Sequence, residues 1–302
     1  MSIRSTVVVV TWRGRDHVGP CLDALQHQRP HRTIVVDNAS DDGTADVLAA
    51  RPETAVRLPA NVGYAGALAA ALDRIDTEFV AWLNDDAEPA PDWLATLEQA
   101  LDDDPGAAAV SSTIVLHDGR TQSVGVKLTE DGHGADHTGE GDVFGFNGGA
   151  ALVRTAALKR AGGVPKEFFC YYEDTDTSWR LRLAGHRVIT SPARVRHRHG
   201  ASTRPGSRLF HRWNERNRLL MLLRCAPAGI AAAQLARFVA LTLVLPLRRR
   251  VPAAWNFRFG LRVQVVGEVF LRMPVVLAQR GAIGRRSTVS RHAVWTGRLE
   301  QR

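Results

Sequence analysis

Cysteine is scarce in this 302-residue chain: Cys21, Cys170 and Cys225 stand far apart. Three such residues supply neither a disulfide framework nor the paired spacing of a thiolate metal site, and they favour a reducing compartment. The N-terminus shows no run of about 7–15 apolar residues followed by a small-residue cleavage site. The chain therefore reads as made and kept inside the cell. No GKS or GKT occurs, and Thr11-Trp12-Arg13-Gly14 stands after the first apolar run where a GxGxxG would be needed. P-loop nucleotide hydrolysis and dinucleotide redox chemistry are thereby disfavoured. Low-complexity tracts and internal repeats are absent as well. Acidic residues nearly vanish from one end, where residues 177–302 hold 3 of them against 25 basic ones, a net of +22.

What is present divides unevenly. Residues 1–176 carry 28 acidic and 14 basic side chains, a net of −14, so the formal +8 of the whole chain hides two opposite halves. With 45% hydrophobic and 23% charged residues, the chain can bury a sizeable core in one large domain or two modest ones. The asymmetry suggests an acidic catalytic half joined to a region facing a polyanion, either nucleic acid or an anionic membrane.

The first half alternates two periodicities. Thr6–Thr11 is too continuously apolar for a half-solvated strand and predicts a buried parallel one. A helix from about Asp16 to Gln28 and a strand at Thr33–Val36 follow. Asp41-Asp42-Gly43-Thr44 is turn chemistry opening a helix whose carboxylates suit the positive N-terminal dipole. A strand at Val56–Leu58, a helix at Tyr64–Ile75, a strand at Phe79–Leu83 and a helix from Pro91 to about Leu101 complete the series. That order predicts a mostly parallel, Rossmann-like α/β sheet with ligands at the strands' C-terminal ends. Short strands and glycine-rich loops are expected from Ala107 to about Val143. Helices are expected at Ala150–Ala161 and Asp174–Ala184, then a strand at Arg187–Ile189. The texture changes to arginine-punctuated apolar segments near residue 203, which sets a catalytic domain at 1–203 and a basic, amphipathic helical region at 204–302.

Carboxylates and amides cluster where strands end. Thr11, Asp37 and Asn84-Asp85-Asp86 close three different strands, so a parallel sheet brings them to one edge. Asp37 taken alone reads as a turn residue or helix cap, and only the convergence of three strand ends favours a site. Adjacent Asp85 and Asp86 repel unless a cation is near, and Mg²⁺ or Mn²⁺ suits such hard oxygens together with substrate phosphates. The plain alternative is a solvated cap for the next helix. Glu173-Asp174-Thr175-Asp176 follows an aromatic run at the start of a helix, a setting for a general base or simply an acidic first turn. His197 and His199 are either surface residues or, beside Asp86, part of a mixed O/N metal site.

Taken in order, these segments resemble the family 2 inverting glycosyltransferases of the GT-A fold, in particular their bacterial rhamnosyltransferase-like branch. The segments are Val9-Val10-Thr11-Trp12, Val35-Val36-Asp37-Asn38-Ala39-Ser40-Asp41-Asp42-Gly43-Thr44, Asn61-Val62-Gly63-Tyr64-Ala65-Gly66 and Leu83-Asn84-Asp85-Asp86-Ala87-Glu88-Pro89. Asn147-Gly148-Gly149-Ala150, Phe169-Cys170-Tyr171-Tyr172-Glu173-Asp174-Thr175-Asp176 and His197-Arg198-His199-Gly200-Ala201-Ser202 follow. The resemblance implies that Thr11 and Asp37 hold the nucleotide base and ribose, and that Asn61 and Gly63 line the same pocket. It implies a DxD-type metal aspartate at Asp86 for Mn²⁺ or Mg²⁺, with Asp85 on the donor side and Asn84 replacing the first Asp. Asp174 would be the general base, His197 the metal-side histidine in preference to His199, and Asn147, Gly148 and Gly149 the neighbours of the transferred sugar and the acceptor.

The resulting expectation is a metal-dependent inverting glycosyltransferase of cell-envelope biosynthesis. It would carry rhamnose from dTDP-rhamnose to a lipid-linked or polysaccharide acceptor. A UDP-sugar donor is the alternative within the class, and a non-catalytic nucleotide-sugar-binding or scaffold protein the alternative outside it. Beyond residue 203, Ala228–Leu247 is long enough to span a bilayer, but a central Arg237 costs roughly 2.5–3.5 kcal/mol there. In Phe257–Leu277 the residues Arg258, Arg262, Glu268 and Arg272 fall within about 120° of one another at helical spacing, leaving Phe259, Val263, Val266 and Phe270 on an apolar face. Both segments read as amphipathic helices lying on an anionic membrane with arginines toward headgroups, or as helices packed on the catalytic domain. Basic residues interleaved with apolar runs suit lipid better than nucleic acid, which is not expected as a partner. The enzyme is placed in the cytoplasm, peripheral on the inner face of the cell membrane, and the sequence leaves a homo-oligomer open.

Overall fold

The structure is a computed structural model that describes residues 3–197 and 206–297. His199, the rest of the 198–202 segment and the expected boundary at 203 lie outside the described residues.

The N-terminal half runs β1 (Ser5–Thr11), α1 (Val18–Gln26), β2 (Arg32–Asp37), α2 (Thr44–Ala49), β3 (Thr54–Arg57), α3 (Gly63–Leu72), β4 (Phe79–Asn84), β5 (Ala87–Pro89) and α4 (Trp93–Asp103). Then come β6 (Ala107–Val115), β7 (Thr121–Ser123), β8 (Gly125–Leu128), β9 (Gly134–His137), β10 (Ala150–Arg154), α5 (Thr155–Arg160), α6 (Glu173–Leu183) and β11 (Arg187–His197). Four helices close the chain: α7 (Arg208–Cys225), α8 (Ala228–Val244), α9 (Phe259–Arg286) and α10 (Arg291–Gly297).

The main sheet has the order β3-β2-β1-β4-β10-β6-β11-β5, with β7 paired to β6. β3, β2, β1 and β4 are mutually parallel, and β10 enters antiparallel between β4 and β6. All seven residues of β1 are buried because layers cover both faces: Val8 and Val10 enter one apolar cluster, Val7 and Val9 the other. This explains the unbroken valine run, which a sheet wetted on one face would not tolerate. The register sets Thr11 opposite Asp37 and Val10 opposite Asn84, so the three strand ends meet at one edge as expected.

The helix expected at Ala150–Ala161 is half strand. Ala150–Arg154 is β10, buried between β4 and β6, and only Thr155–Arg160 is helical. A short apolar run between two buried strands carries no periodicity that separates the two states.

Helices α7 to α10 share the cluster on one face of the sheet: Leu219, Leu222, Phe238, Val265, Val269 and Trp295 belong with Val8 and Trp82. Part of the C-terminal positive charge is internal. Arg180, Arg216, Arg218, Arg224 and Arg262 are buried. Arg216 donates to Phe168 O, Arg218 to Asp131 O and Arg280 to the carbonyls of Leu223 and Ala226.

The expectation that the α9 arginines turn toward headgroups is corrected for Arg262. It lies over the Phe238 ring, 3.7 Å from its centre, and donates to Thr242 Oγ1 and the carbonyls of Phe238 and Asn256. Glu268 of the same helix accepts from Arg212 and Arg216 of α7. A guanidinium with five donors can serve one hydroxyl and two carbonyls at once while its face covers an aromatic ring, and this holds it inward. The opposite face of α9 stays open: Phe259, Val263, Phe270, Leu271, Val275 and Leu277 are exposed. Every exposed position from Phe259 to Gly281 is uncharged.

Candidate active site

A cavity of about 840 Å³ opens at the C-terminal edge of the parallel strands. Its wall includes Trp12, Asn38, Asn61, Gly63, Asn84, Asp85, Asp86, Asn147–Gly149, Glu173, Asp174 and His197. Nine of the eleven sequence-expected site residues therefore converge here. Thr11 and Asp37 sit just behind the wall. Both are buried, and Asp37 is committed to the backbone N–H of Ser40 and to Arg57 at 2.6 Å, while its neighbour Asn38 faces the cavity.

Asn38 Nδ2 donates to Asn61 Oδ1 at 3.0 Å, and Asn38 Oδ1 and Asn61 Oδ1 accept from the backbones of Val62 and Gly63. Two amides thus fix the turn that starts α3. Gly63 has φ 76°, and a Cβ there would lie 2.2 Å from Phe169 O. Only glycine allows that approach, which lets Ala65 N donate to the same oxygen.

Past β4, Asp86 Oδ1 lies 3.0 Å from His197 Nε2, with Asn84 Nδ2 3.2 Å from the same nitrogen. Gln122 Oε1 meets the other ring nitrogen. Burial pushes the Asp86 carboxyl up, but the hydrogen bond and charge of His197 outweigh it and hold the group below its ordinary value. Among the described residues Asp85 forms no ion pair of its own. Burial, with the charge of Asp86 added, raises it to about 7 against the neighbouring Thr11 hydroxyl. A side chain on Gly14 would lie 2.3 Å from Asp85 Oδ2, so glycine is what admits this carboxylate to the edge. Among the described residues no three His, Cys, Asp or Glu side chains gather as a self-sufficient metal cluster.

On another wall, α6 begins with Glu173 and Asp174. Gly148 N donates to Asp174 Oδ2 at 2.9 Å, and the Thr175 backbone and hydroxyl donate to Oδ1. Oδ2, with one donor, keeps a lone pair for a further proton or hydrogen bond. Burial raises the Asp174 pKa against these bonds. Glu173 is buried, its Oε2 has no hydrogen-bond partner, and burial with the charge of Asp174 pushes it up to about 8. Near neutrality Glu173 therefore mostly keeps its proton. Tyr64 ties this wall to α3 by donating to Gly148 O at 2.7 Å.

Sequence reasoning missed the aromatic side of the cavity. Leu209, Phe210 and Trp213 of α7 line it, with Trp213 4.7 Å from Phe169 and Phe210 5.3 Å from Tyr171. Their only signal was aromatic residues inside a basic stretch, which could not be assigned to the site from spacing.

The sequence model of the Glycosyl transferase family 2 matches residues 6–162. An N-acetylglucosaminyl-diphospho-decaprenol L-rhamnosyltransferase of Mycobacterium tuberculosis is 26% identical over 235 residues, which span 65% of this chain and 76% of that protein. Among solved structures, the mannosyltransferase PcManGT from Pyrobaculum calidifontis, in complex with GDP-Man and Mn²⁺, superposes with a TM-score of 0.59 at 21% identity, covering 99% of this chain and 88% of that one. S. aureus TarS 1-349 in complex with UDP gives 0.56 at 18%, covering 99% and 92%. These likenesses bear out the expected GT-A fold.

Proposed function

The chain belongs to glycosyl transferase family 2 and is a glycosyltransferase, and on that premise we propose that it moves rhamnose from dTDP-rhamnose to a lipid-linked acceptor, with inversion. The observation that carries this reading is a single cavity that has an amide-lined, acidic edge on one wall and a perturbed carboxylate, Asp174, on another. The rhamnosyltransferase relative, whose name specifies a diphospho-decaprenol substrate, supports the choice of sugar and acceptor.

In this reading Asn38, Asn61 and Gly63 receive the nucleotide, backed by Thr11 and Asp37. The acceptor hydroxyl oxygen attacks the anomeric carbon as the bond from that carbon to the diphosphate oxygen breaks, and the diphosphate leaves with the electron pair. Asp174 takes the hydroxyl proton on Oδ2, where the Gly148 N–H fixes the carboxylate. Attack from the face opposite the leaving group inverts the anomeric centre in one step. Asn147, Gly148 and Gly149 lie beside that reaction.

The donor set at the strand end fits a divalent cation, Mn²⁺ or Mg²⁺. Asp86 and His197 would hold it, and the raised Asp85 beside Asp86 marks a corner short of positive charge. A cation bound there would neutralise charge developing on the diphosphate.

The cytoplasmic membrane surface is the proposed place of action. The uncharged exposed face of α9, with Leu243, Val244 and Leu247 beyond it and Arg248–Arg250 following, suits an interfacial seat with basic residues toward anionic headgroups. Ala228–Leu247 is long and apolar enough to cross a membrane, with mean hydropathy 1.9.

A thermal-shift screen of nucleotides and nucleotide sugars, with and without Mn²⁺, tests the reading. The expected result is a metal-dependent shift with dTDP and dTDP-rhamnose. A shift confined to UDP compounds would move the donor to a UDP-sugar, and none with any nucleotide would contradict the proposal.

A further inference from the structure

The segment that delivers Glu173 and Asp174 into the cavity is conformationally strained. Phe169, Tyr171 and Tyr172 have φ of 67°, 71° and 70°, and none is glycine. Such residues persist in the left-handed region only where their surroundings over-determine them. On one side the segment is pinned to α3 through Ala65 N and Phe169 O. On the other it is held to α7 chiefly through Asn217, whose Nδ2 lies 2.9 Å from Phe168 O, 2.8 Å from Cys170 O and 2.8 Å from Tyr171 O. Asn217 is fully buried. Its own Oδ1 accepts from Arg216 Nε at 2.9 Å, and Arg216 Nη2 donates to Phe168 O at 2.6 Å. The two hydrogens of one amide group thus serve three carbonyls within four residues, one of them shared between two oxygens, immediately before the candidate base.

We propose that Asn217 is a positioning residue: by gathering these three carbonyls from α7 it holds the strained aromatic turn whose end fixes where Asp174 sits. The proposal rests on Asp174 being the base. Its physical content is that a turn with three left-handed non-glycine residues relaxes when the amide is removed, and that the first turn of α6 moves with it. Asn217 itself bonds Phe168, Cys170, Tyr171 and Arg216 and none of Asn38, Asn61 or Asp86, and the tie between Ala65 N and Phe169 O beside Gly63 does not depend on it, so donor affinity is expected to stay.

The half-buried thiol of Cys170 lies within this turn, whereas Cys21 and Cys225 are buried elsewhere. It gives a reporter that needs no substrate. The experiment compares the wild-type chain with Asn217→Ser, which keeps one donor, and Asn217→Ala, which keeps none. Three quantities are read: the rate of maleimide labelling at Cys170, the dissociation constant of dTDP, and kcat with dTDP-rhamnose and a polyprenyl-diphosphate N-acetylglucosamine acceptor.

The expected result is labelling at least tenfold faster in Asn217→Ala and intermediate in Asn217→Ser. kcat should fall at least tenfold in the same order, with the dTDP constant within twofold. Unchanged labelling, or unchanged kcat per folded molecule with only a lower Tm, would overturn the proposal. So would kcat and dTDP affinity falling together. If neither variant folds, Arg216→Met, which removes the guanidinium that donates to both Asn217 Oδ1 and Phe168 O, is read by the same labelling rate, and no acceleration there overturns it. A wild-type chain inactive with these substrates would count against the proposed donor and acceptor, while the Cys170 rates still decide whether Asn217 holds the turn.

Discussion

Replacing Glu173 by glutamine should make stability less dependent on pH. Glu173 is buried with an unpartnered Oε2, and burial with the Asp174 charge raises its carboxyl from 4.5 to about 8. The folded chain therefore holds a proton that the unfolded chain releases near 4.5. The associated stability is fully present below that pH, falls as pH rises through the window, and is gone above about 8. At about 1.4 kcal/mol per pH unit across that window, the loss amounts to roughly 5 kcal/mol. Glutamine resembles the protonated acid in size and neutrality. Its amide leaves a buried polar group unmatched, as the acid does, so the exchange itself should cost no more than about 1 kcal/mol. Urea unfolding of the two chains at pH 5, 7 and 9 reads the effect. Glu173→Gln should be within about 1 kcal/mol of wild type at pH 5 and more stable by roughly 4–5 kcal/mol at pH 9. Because Glu173 works as a neutral neighbour of Asp174 in this account, transfer at pH 7 should survive the exchange. Parallel stability curves would refute the buried-proton argument, and loss of transfer equal to that of Asp174→Asn would move the base to Glu173.

Asp174→Asn keeps the size and the Gly148 contact but cannot take a proton, so turnover should drop about 10²–10⁴-fold with donor affinity nearly unchanged, as steady-state rates and calorimetry would read. Asp86→Ala should weaken both donor binding and its stimulation by Mn²⁺ or Mg²⁺ in metal-titrated calorimetry, and Asp85→Ala should do less; retained metal-stimulated affinity in Asp86→Ala would reassign the site. Replacing Arg248, Arg249 and Arg250 by serine should weaken flotation with anionic vesicles by about 1 kcal/mol per residue at low salt. Wild-type binding should itself fall with salt, and carbonate should release the protein; resistance to carbonate would make it an integral protein.

The strand ends were legible because the sheet is simple where they lie. Val7–Val10, Ile34–Val36 and Phe79–Leu83 are buried, parallel and continuously apolar, and the registers of their strands bring Thr11, Asp37 and Asn84 to one edge. The start of α6 was legible for a different reason, because three acidic residues stand in its first turn after an aromatic run. β10 was hidden, since Ala150–Arg154 has composition but no period. The role of α7 was hidden more deeply. Its arginines and asparagine look like a solvated basic face, yet Arg216, Asn217 and Arg218 turn inward to carbonyls of distant loops. Charge counts cannot distinguish an arginine that meets a polyanion from one that closes a backbone oxygen, because the partner is set by tertiary structure. The exposed apolar face of α9 was foreseen in part from Phe259, Val263 and Phe270. That Arg262 turns inward onto Phe238 instead of out to a headgroup was not.

The central claim is inverting transfer of rhamnose with Asp174 as base. Purified chain, dTDP-rhamnose, Mn²⁺ and a polyprenyl-diphosphate N-acetylglucosamine acceptor test it in one reaction, with the lipid product isolated and its anomeric centre assigned by NMR. The account predicts a rhamnosylated lipid whose anomeric configuration is opposite to the donor's, formed by the wild-type chain and not by Asp174→Asn. A product with the donor's configuration retained, or equal product from Asp174→Asn, would contradict it.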